Sequence, residues 1–304
     1  MSSSGGTKAI LAAFAANVGI AIAKLVAFVL TGATSMLAES IHSFADCGNQ
    51  GLLLLGGRRA LRPPDERHPF GHSSERFFWA FVVALVMFSM GGLFALYEGI
   101  HKVVQPAHLD SPAIAIVVLV LSMVLEGFSL RTALVEVRRV RKPGDGYVAF
   151  VRRSKDPELP VVLLEDCAAL IGLAIALAGQ LAAHLFDQPR FDAVGSIGIG
   201  ILLVVVAFVL ARETKSLLVG EAADRDIADA LRAAIVDGED VVSLIHFRTL
   251  QLGPNDILVT AKIELAPQAD MAGIGAAIDR AEARMRSAEP TARLIFLEPD
   301  VRRP

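Results

Sequence analysis

The sequence predicts a membrane protein with an all-α transmembrane domain of six helices, followed by a cytosolic α+β domain with the element order αββαβ. Apolar residues make up 54% of the 304-residue chain, and its mean hydropathy is +0.54. Six apolar stretches approach or reach the ~20 residues that a helix needs to cross a bilayer. The composition then changes near residue 214, where charged and β-branched residues become frequent.

The six stretches predict six helices embedded in the lipid bilayer, at residues 9–30, 35–57, 77–100, 112–134, 157–186 and 191–211. The loops at 58–76 and 131–155 carry thirteen Lys and Arg residues, whereas the opposite loops carry only Lys102 and Arg190. Because positive charge is retained inside, both basic loops and both termini are expected in the cytoplasm. Arg outnumbers Lys 22 to 7, which favours a GC-rich bacterial gene and hence a bacterial plasma membrane.

The rest of the chain predicts a small C-terminal domain, so that the domains are 1–213 and 214–304. Asp224 is expected to cap a helix at 225–236, and strands at 241–250 and 256–265 flank the turn Gly253-Pro254-Asn255-Asp256. A helix at 273–287 and a strand at 292–297 complete the order. A domain of this size gains stability by self-association.

Overall charge and cysteine content exclude other classes. The net charge of −3 gives no indication of a nucleic-acid partner. Two cysteines, Cys47 and Cys167, provide neither a disulfide framework nor the spacing of a zinc finger.

Ionisable residues inside spanning helices are costly and therefore indicate function. In the second predicted helix, Glu39, His42, Asp46 and Asn49 follow at spacings of three and four residues and form one polar stripe. His42 and Asp46 can reach a common ion, which favours metal or proton handling. The alternative is a hydrogen-bonded seam between helices.

The fifth predicted helix carries two adjacent acids, Glu165 and Asp166, near the middle of the membrane. One of these two acids could pair with Lys24 or with an Asn, which would leave the other as the functional acid. Lys24 is expected nearer the outer face, with its ammonium group reaching the interface.

The loop after the second helix has a third group of metal-binding residue types. Asp65, His68 and His72 have the spacing D-x₂-H-x₃-H, and these are ligands that zinc accepts. The alternative is a solvated loop with incidental histidines.

Taken together, these motifs resemble the cation diffusion facilitator family, also called cation efflux proteins or solute carrier family 30 zinc transporters. The resemblance is carried by H-S-F-A-D at 42–46, Asp166 and P-D-E-R-H-P-F-G-H at 64–72. Lys24, T-G-x-x-S at 31–35 and R-T-x-Q-x-G-P at 248–254 also fit. The residues H-P-F-G-x-x-x-E-R-F-F-W-A at 68–80 are most similar to the subgroup with the animal mitochondrial zinc transporter.

The resemblance implies a homodimer that exports divalent metal ions in exchange for protons. It implies a transport site at His42, Asp46 and Asp166, and a loop site at Asp65, His68 and His72. The chain departs from the family at Val162, where a ligand such as His is usual four residues before the acid. Either Glu165 or a water molecule would then complete the transport site.

The tail also departs from the family pattern. His246 is about one residue out of register, Ala261 and Phe296 stand at ligand positions, and only Glu298 keeps an acid. No metal cluster is therefore expected in the tail, although dimerisation through it is.

The sequence thus favours a proton-coupled antiporter for divalent metal, most readily zinc, that is not an enzyme and needs no cofactor. Two alternatives stay open at this point. One is a passive cation channel whose acids line a pore. The other is a metal-dependent membrane enzyme, although no H-E-x-x-H or comparable hydrolase motif occurs.

Overall fold

A computed structural model describes residues 3–105, 112–266 and 270–301. The chain forms two compact units, one comprising Met1–Arg58 with Phe78–Thr214 and the other comprising Arg59–Phe77 with Lys215–Pro304. The second unit therefore contains the loop that follows the second helix as well as the C-terminal tail.

The first unit is built from long helices, interrupted once by a π-helical turn. Their bounds are α1 Ser3–Thr31, α2 Thr34–Ala60, α3 Glu75–Val86, the π-helical turn Met87–Leu93, α4 Phe94–Val104, α5 Pro112–Val140, α6 Tyr147–Arg153, α7 Glu158–Leu185 and α8 Arg190–Val219.

Four continuous helical segments in the described part of the chain are long and apolar enough to cross a membrane. They are Glu75–Val104, Ala115–Val140, Glu158–Leu185 and Arg190–Val219, and they identify an integral, multi-pass membrane protein. α1 and α2 cover the first two predicted spans. The polar stripe lowers the hydropathy of α2, and the part of α1 whose side chains the structure describes is the shorter apolar helix Asn17–Thr31. The count of six spans stays a prediction.

The turn between α1 and α2 explains the T-G-x-x-S motif. Gly32 has a positive φ of 66°, which a residue without a Cβ adopts at little cost. Its N–H donates to the carbonyl of Phe28 at 2.7 Å, and the Thr31 hydroxyl donates to the carbonyl of Ala27 at 2.7 Å. The chain thus reverses within a few residues and starts α2 immediately.

Glycines allow the third span to approach α8 closely. A Cβ at Gly92 would lie 2.7 Å from Cγ2 of Val204, and one at Gly99 would lie 2.9 Å from the carbonyl oxygen of Ala193. Such contacts between small residues are a common way to pack helices in membranes. Gly92 belongs to the π-helical turn, which the sequence did not predict.

The second unit contains the α+β tail, and its element order is the predicted αββαβ. The elements are α9 Arg225–Ile235, β1 Val241–Gly253, β2 Asp256–Leu265, α10 Met271–Ala288 and β3 Leu294–Pro299. β2 lies in the centre, antiparallel to β1 and parallel to β3. β1 runs three residues beyond its predicted end, and β3 begins two residues later than predicted.

Alternation along β2 creates the core of the tail. Ile257, Val259 and Ile263 are buried and pack with Leu231 of α9 and Met285 of α10, as expected for a sheet with one covered face. The predicted cap of α9 is partly wrong, because Asp224 occupies the N-cap position but its side chain makes no capping hydrogen bond. Asp270 caps α10 instead, since it accepts from the N–H of Gly273 at 2.6 Å.

Candidate functional site

The polar stripe of α2 is buried along its whole length. Glu39, His42 and Asn49 are at most 1% exposed, and Asp46 is 8% exposed. The i, i+4 spacing of His42 and Asp46 places His42 Nδ1 3.5 Å from Asp46 Oδ1. The two side chains that the sequence singled out on this helix therefore do lie together.

Lys24 occupies a different place from the predicted one. Its side chain is fully buried, and its ammonium group donates to Glu39 Oε2 at 3.1 Å and to Ser43 Oγ at 2.8 Å. The expectation that Lys24 reaches the outer interface is wrong, because an acid on the facing stripe of α2 offers it a counter-charge inside the protein. Lys24 is accordingly a partner of Glu39 and not of Glu165.

The two acids of α7 each have a hydrogen-bond donor. Glu165 is 4% exposed and accepts from Asn49 Nδ2 at 3.0 Å. Asp166 is 8% exposed and accepts from Ser129 Oγ at 3.0 Å. Of the partners considered for these acids from the sequence, Asn49 is the one that Glu165 contacts.

A small cavity brings acids from three helices together. Its volume is about 10 Å³, which is room for about one water molecule. The residues lining it come from α1, α2, α5 and α7, and they are Asn17, Ser43, Asp46, Gln50, Glu126, Glu165 and Asp166. Three of the four residues predicted for the transport site therefore face one cavity.

His42, the fourth predicted residue, lies beside this cavity and not on its wall. Nδ1 of His42 is 4.0 Å from the position that a Cβ would occupy at Gly91, in the π-helical turn. Within the described residues, neither ring nitrogen of His42 nor Oδ1 of Asp46 has a hydrogen-bond partner. Buried polar atoms are seldom left in this way except at functional sites.

The loop residues form a compact group in the second unit. His68 Nδ1 lies 3.2 Å from Asp65 Oδ1, and His72 Nε2 lies 3.1 Å from Asp65 Oδ2. One ligand atom from each of the three side chains lies within 4.8 Å of the others. In the described ranges no other set of His, Cys, Asp or Glu meets this criterion, so the predicted transport ligands are not as closely assembled.

Backbone donors hold the acid of the loop group in place. The N–H groups of Arg67 and His68 donate to Asp65 Oδ1 at 2.9 and 2.7 Å. The hydrogen bond from the His68 N–H, followed by those from the two imidazoles and the Arg67 N–H, lowers the pKa of Asp65 to about 2. Asp65 and His68 are both exposed, whereas the side chain of His72 is only 9% exposed.

Val162 and the tail positions do not offer metal ligands. Val162 packs against an apolar cluster that includes Leu53 and Val83. In the tail, Ala261 is buried in the core, and Glu298 pairs with Lys262 at 3.0 Å. The adjacent Glu298 and Asp300 raise the pKa of Lys262. That the tail binds no metal cluster stays a prediction.

A second buried polar group was missed by the sequence reasoning. The carboxylate of Asp192, which is 1% exposed, accepts from the N–H of Thr34 at 2.6 Å and from the N–H of Ser35 at 3.3 Å. It also accepts from Ser35 Oγ and from Gln180 Nε2 at 2.6 Å. An anion here compensates the free N–H groups at the start of α2. The sequence analysis did not single out Asp192, because no spacing in the sequence relates it to Ser35.

The chain is similar in sequence to a known family and to several known proteins. The model of the cation efflux transmembrane domain matches residues 10–219. The chain is 33% identical over 243 residues to the mitochondrial proton-coupled zinc antiporter SLC30A9 of Xenopus laevis, covering 79% of this chain and 43% of that protein. It is 33% identical to metal tolerance protein C4 of Arabidopsis thaliana, with 77% and 51% covered, and 30% identical to the cation-efflux pump FieF of Cronobacter sakazakii, with 82% and 77% covered.

The chain spans less than half the length of the mitochondrial antiporters that it matches. The family match extends from the first helix to the end of α8 and includes all the acids of the cavity. The chain therefore belongs to the cation efflux family and is similar within it to SLC30A9.

Proposed function

We propose that this protein is a secondary active transporter that moves divalent metal ions, zinc foremost, out of the cytoplasm in exchange for protons. One observation carries the proposal. Buried carboxyl groups from α2 and α7 converge on a cavity with room for about one water molecule, and none of the described residues that line it is basic. Such a cavity needs either a metal cation or protons to compensate its charge.

The coupling follows from the chemistry of the ligands. Asp46, Asp166 and Glu165 bind a metal ion as carboxylates, and His42 binds it as a neutral imidazole. Metal binding therefore releases protons, and protonation releases the metal. If the site opens alternately to the two sides of the membrane, this competition exchanges one ion for the other.

Zinc is supported by the ligand types and by the relatives. A mixed set of imidazole and carboxylate ligands suits zinc, and the names of the SLC30A9 relatives describe proton-coupled zinc antiport. Nothing in this donor set requires an organic cofactor, and the names of SLC30A9 and FieF describe an antiporter and a pump, which supports a protein that is not an enzyme.

The remaining sequence predictions belong to the same proposal. The protein crosses the membrane six times, with both termini in the cytoplasm of a bacterial plasma membrane, and divides into domains 1–213 and 214–304. The tail joins two copies in a homodimer. Asp65, His68 and His72 form a second metal site, supported by ligand atoms within 4.8 Å of one another.

A metal panel in proteoliposomes tests the proposal. Purified protein is reconstituted with a pH-sensitive dye inside, and zinc, manganese, iron, cobalt and cadmium are added outside in turn. We expect zinc entry to be coupled to proton exit, so that the lumen becomes more alkaline as zinc accumulates. Metal flux without any proton movement would favour the channel alternative, and metal-stimulated hydrolysis of added substrates would favour an enzyme.

A further inference from the structure

The cavity contains an acid that the metal ligands proposed above leave out. Resting on the proposed function, we infer that Glu126 of α5 is a further ligand of the transported metal and makes the site rich in carboxylates. The metal is then held by three helices, α2, α5 and α7.

The position of Ser129 shows which face of α5 meets the site. Ser129 Oγ donates to Asp166 Oδ2 at 3.0 Å. Residues three apart on a helix lie on the same face, so Glu126 is one turn from a residue that already contacts an acid of α7. Glu126 also lines the cavity itself, together with Asp46 and Glu165.

The charges around the cavity point to a cation. Among the residues that the structure describes, four carboxyl groups line it, and no Lys or Arg does. The neighbouring ammonium group of Lys24 is hydrogen-bonded to Glu39 and Ser43. Asp46 is 8% exposed, and its Oδ1 has no hydrogen-bond partner among the described residues. A divalent cation would satisfy this oxygen and reduce the repulsion among the acids.

Glu126 changes the composition of the proposed ligand set. His42, Asp46, Asp166 and Glu165 are already four donors, the number that zinc prefers, while Val162 is apolar and packed among apolar residues. Glu126 would be a fifth donor and the fourth carboxylate, which favours a metal ion that accepts more oxygen ligands than zinc does. Since carboxylates suit manganese and imidazole suits zinc, this set accepts manganese more readily than one with a second histidine.

Equilibrium binding to the full chain tests the assignment. Glu126→Gln is compared with its parent, which carries His68→Ala and His72→Ala so that the loop group does not contribute. Zinc alone and manganese alone are titrated against each protein in detergent. We expect Glu126→Gln to weaken manganese binding by about tenfold or more and zinc binding by less, because His42 is retained.

Two further variants distinguish a ligand from a structural residue. Glu136→Gln, on an exposed part of α5 where Glu136 pairs with Arg139 at 3.2 Å, should leave both affinities unchanged. Glu126→Asp keeps the carboxyl group and should retain more manganese affinity than Glu126→Gln. Equal affinities in Glu126→Gln and its parent, or equal losses in the Asp and Gln variants, would overturn the inference. A folded parent that binds neither metal would instead overturn the proposed function.

Discussion

The loop group and the membrane cavity use similar residue types in opposite surroundings. In the loop, Asp65 is exposed, held by backbone N–H groups and already within 3.2 Å of both imidazoles. In the cavity, Asp46 is buried, and its Oδ1 has no hydrogen-bond partner in the described part of the chain.

This difference shows what each group can do. The ligand atoms of the loop group lie within 4.8 Å of one another, and its acid is exposed, so metal can bind there without changing the charge of a buried site. The cavity acids repel one another in a poorly hydrated environment, so a metal ion or protons must be present. The competition between metal and protons that we propose as the basis of exchange therefore belongs in the cavity.

The largest effect is expected from Asp46→Asn. The amide has the same shape as the carboxyl group, so packing is preserved, but a ligand and a titrating group are lost together. We expect zinc–proton exchange in proteoliposomes to fall to the level of protein-free vesicles, with the protein still eluting at the same volume as the folded parent. Asp229→Asn, at an exposed position of α9, is the matched control and should exchange at the parental rate. Exchange by Asp46→Asn at that rate would remove α2 from the site.

Glu165→Gln is expected to have the next largest effect. Lys24 is occupied by Glu39, so Glu165 is in contact with Asn49, with the carboxyl group of Asp46 and, as proposed, with the metal or a proton. The substitution should weaken zinc binding by about tenfold and change the pH dependence of exchange. Adding Val162→His should restore part of the affinity by returning the usual family ligand.

Titration calorimetry and a pH series in proteoliposomes measure both effects of Glu165→Gln. Val162→His alone serves as the control for any affinity that the new imidazole adds independently. If Glu165→Gln leaves the affinity and the pH profile as they were, Glu165 only holds Asn49, and the metal is bound by the other acids.

Asp192→Asn tests whether the cavity depends on the start of α2. The amide can still accept, but it loses the charge that compensates the N–H groups of Thr34 and Ser35. We expect the unfolding free energy to fall by about 1–3 kcal/mol, measured as a lower melting temperature, with the ratio of zinc to manganese affinity unchanged.

Asp187→Asn is the control, because Asp187 is exposed and Asn tolerates its positive φ of 50°. A changed metal ratio would show that Asp192 shapes the site itself.

The comparison also shows what could be predicted from the sequence. Spacing within one helix or loop was sufficient to bring His42 to Asp46 and Asp65 to both loop histidines, because such distances are set by local geometry. The αββαβ order of the tail was likewise predicted from periodicity and turn residues.

Contacts between helices could not be predicted from spacing and periodicity. Periodicity gives the face of a helix but not its neighbour, so Glu126 had no assigned partner and Lys24 was placed at the interface. The buried pair of Lys24 with Glu39 and the bond from Ser129 to Asp166 depend on how α1, α2, α5 and α7 pack. The residues of the π-helical turn beside His42 likewise contain nothing, apart from the glycines, that would predict a π-helix from the sequence.

The smallest effect on exchange is expected from His68→Ala with His72→Ala. Both imidazoles are removed from an exposed group outside the cavity, so metal capture should weaken while measurable exchange remains.

The pKa of Asp65 is lowered to about 2, so its carboxylate stays ionised above about pH 4 and becomes protonated only as the pH falls towards 2. Protonation of Asp65 therefore does not change the affinity of the loop group for metal between pH 5 and 8.

Measuring zinc uptake at low and at saturating zinc concentrations separates metal capture from turnover. The control variant carries His101→Ala and His184→Ala, at two exposed histidines. If the loop variant is folded but loses all exchange, while the control variant keeps it, then the loop group and not the cavity is the more important site for transport.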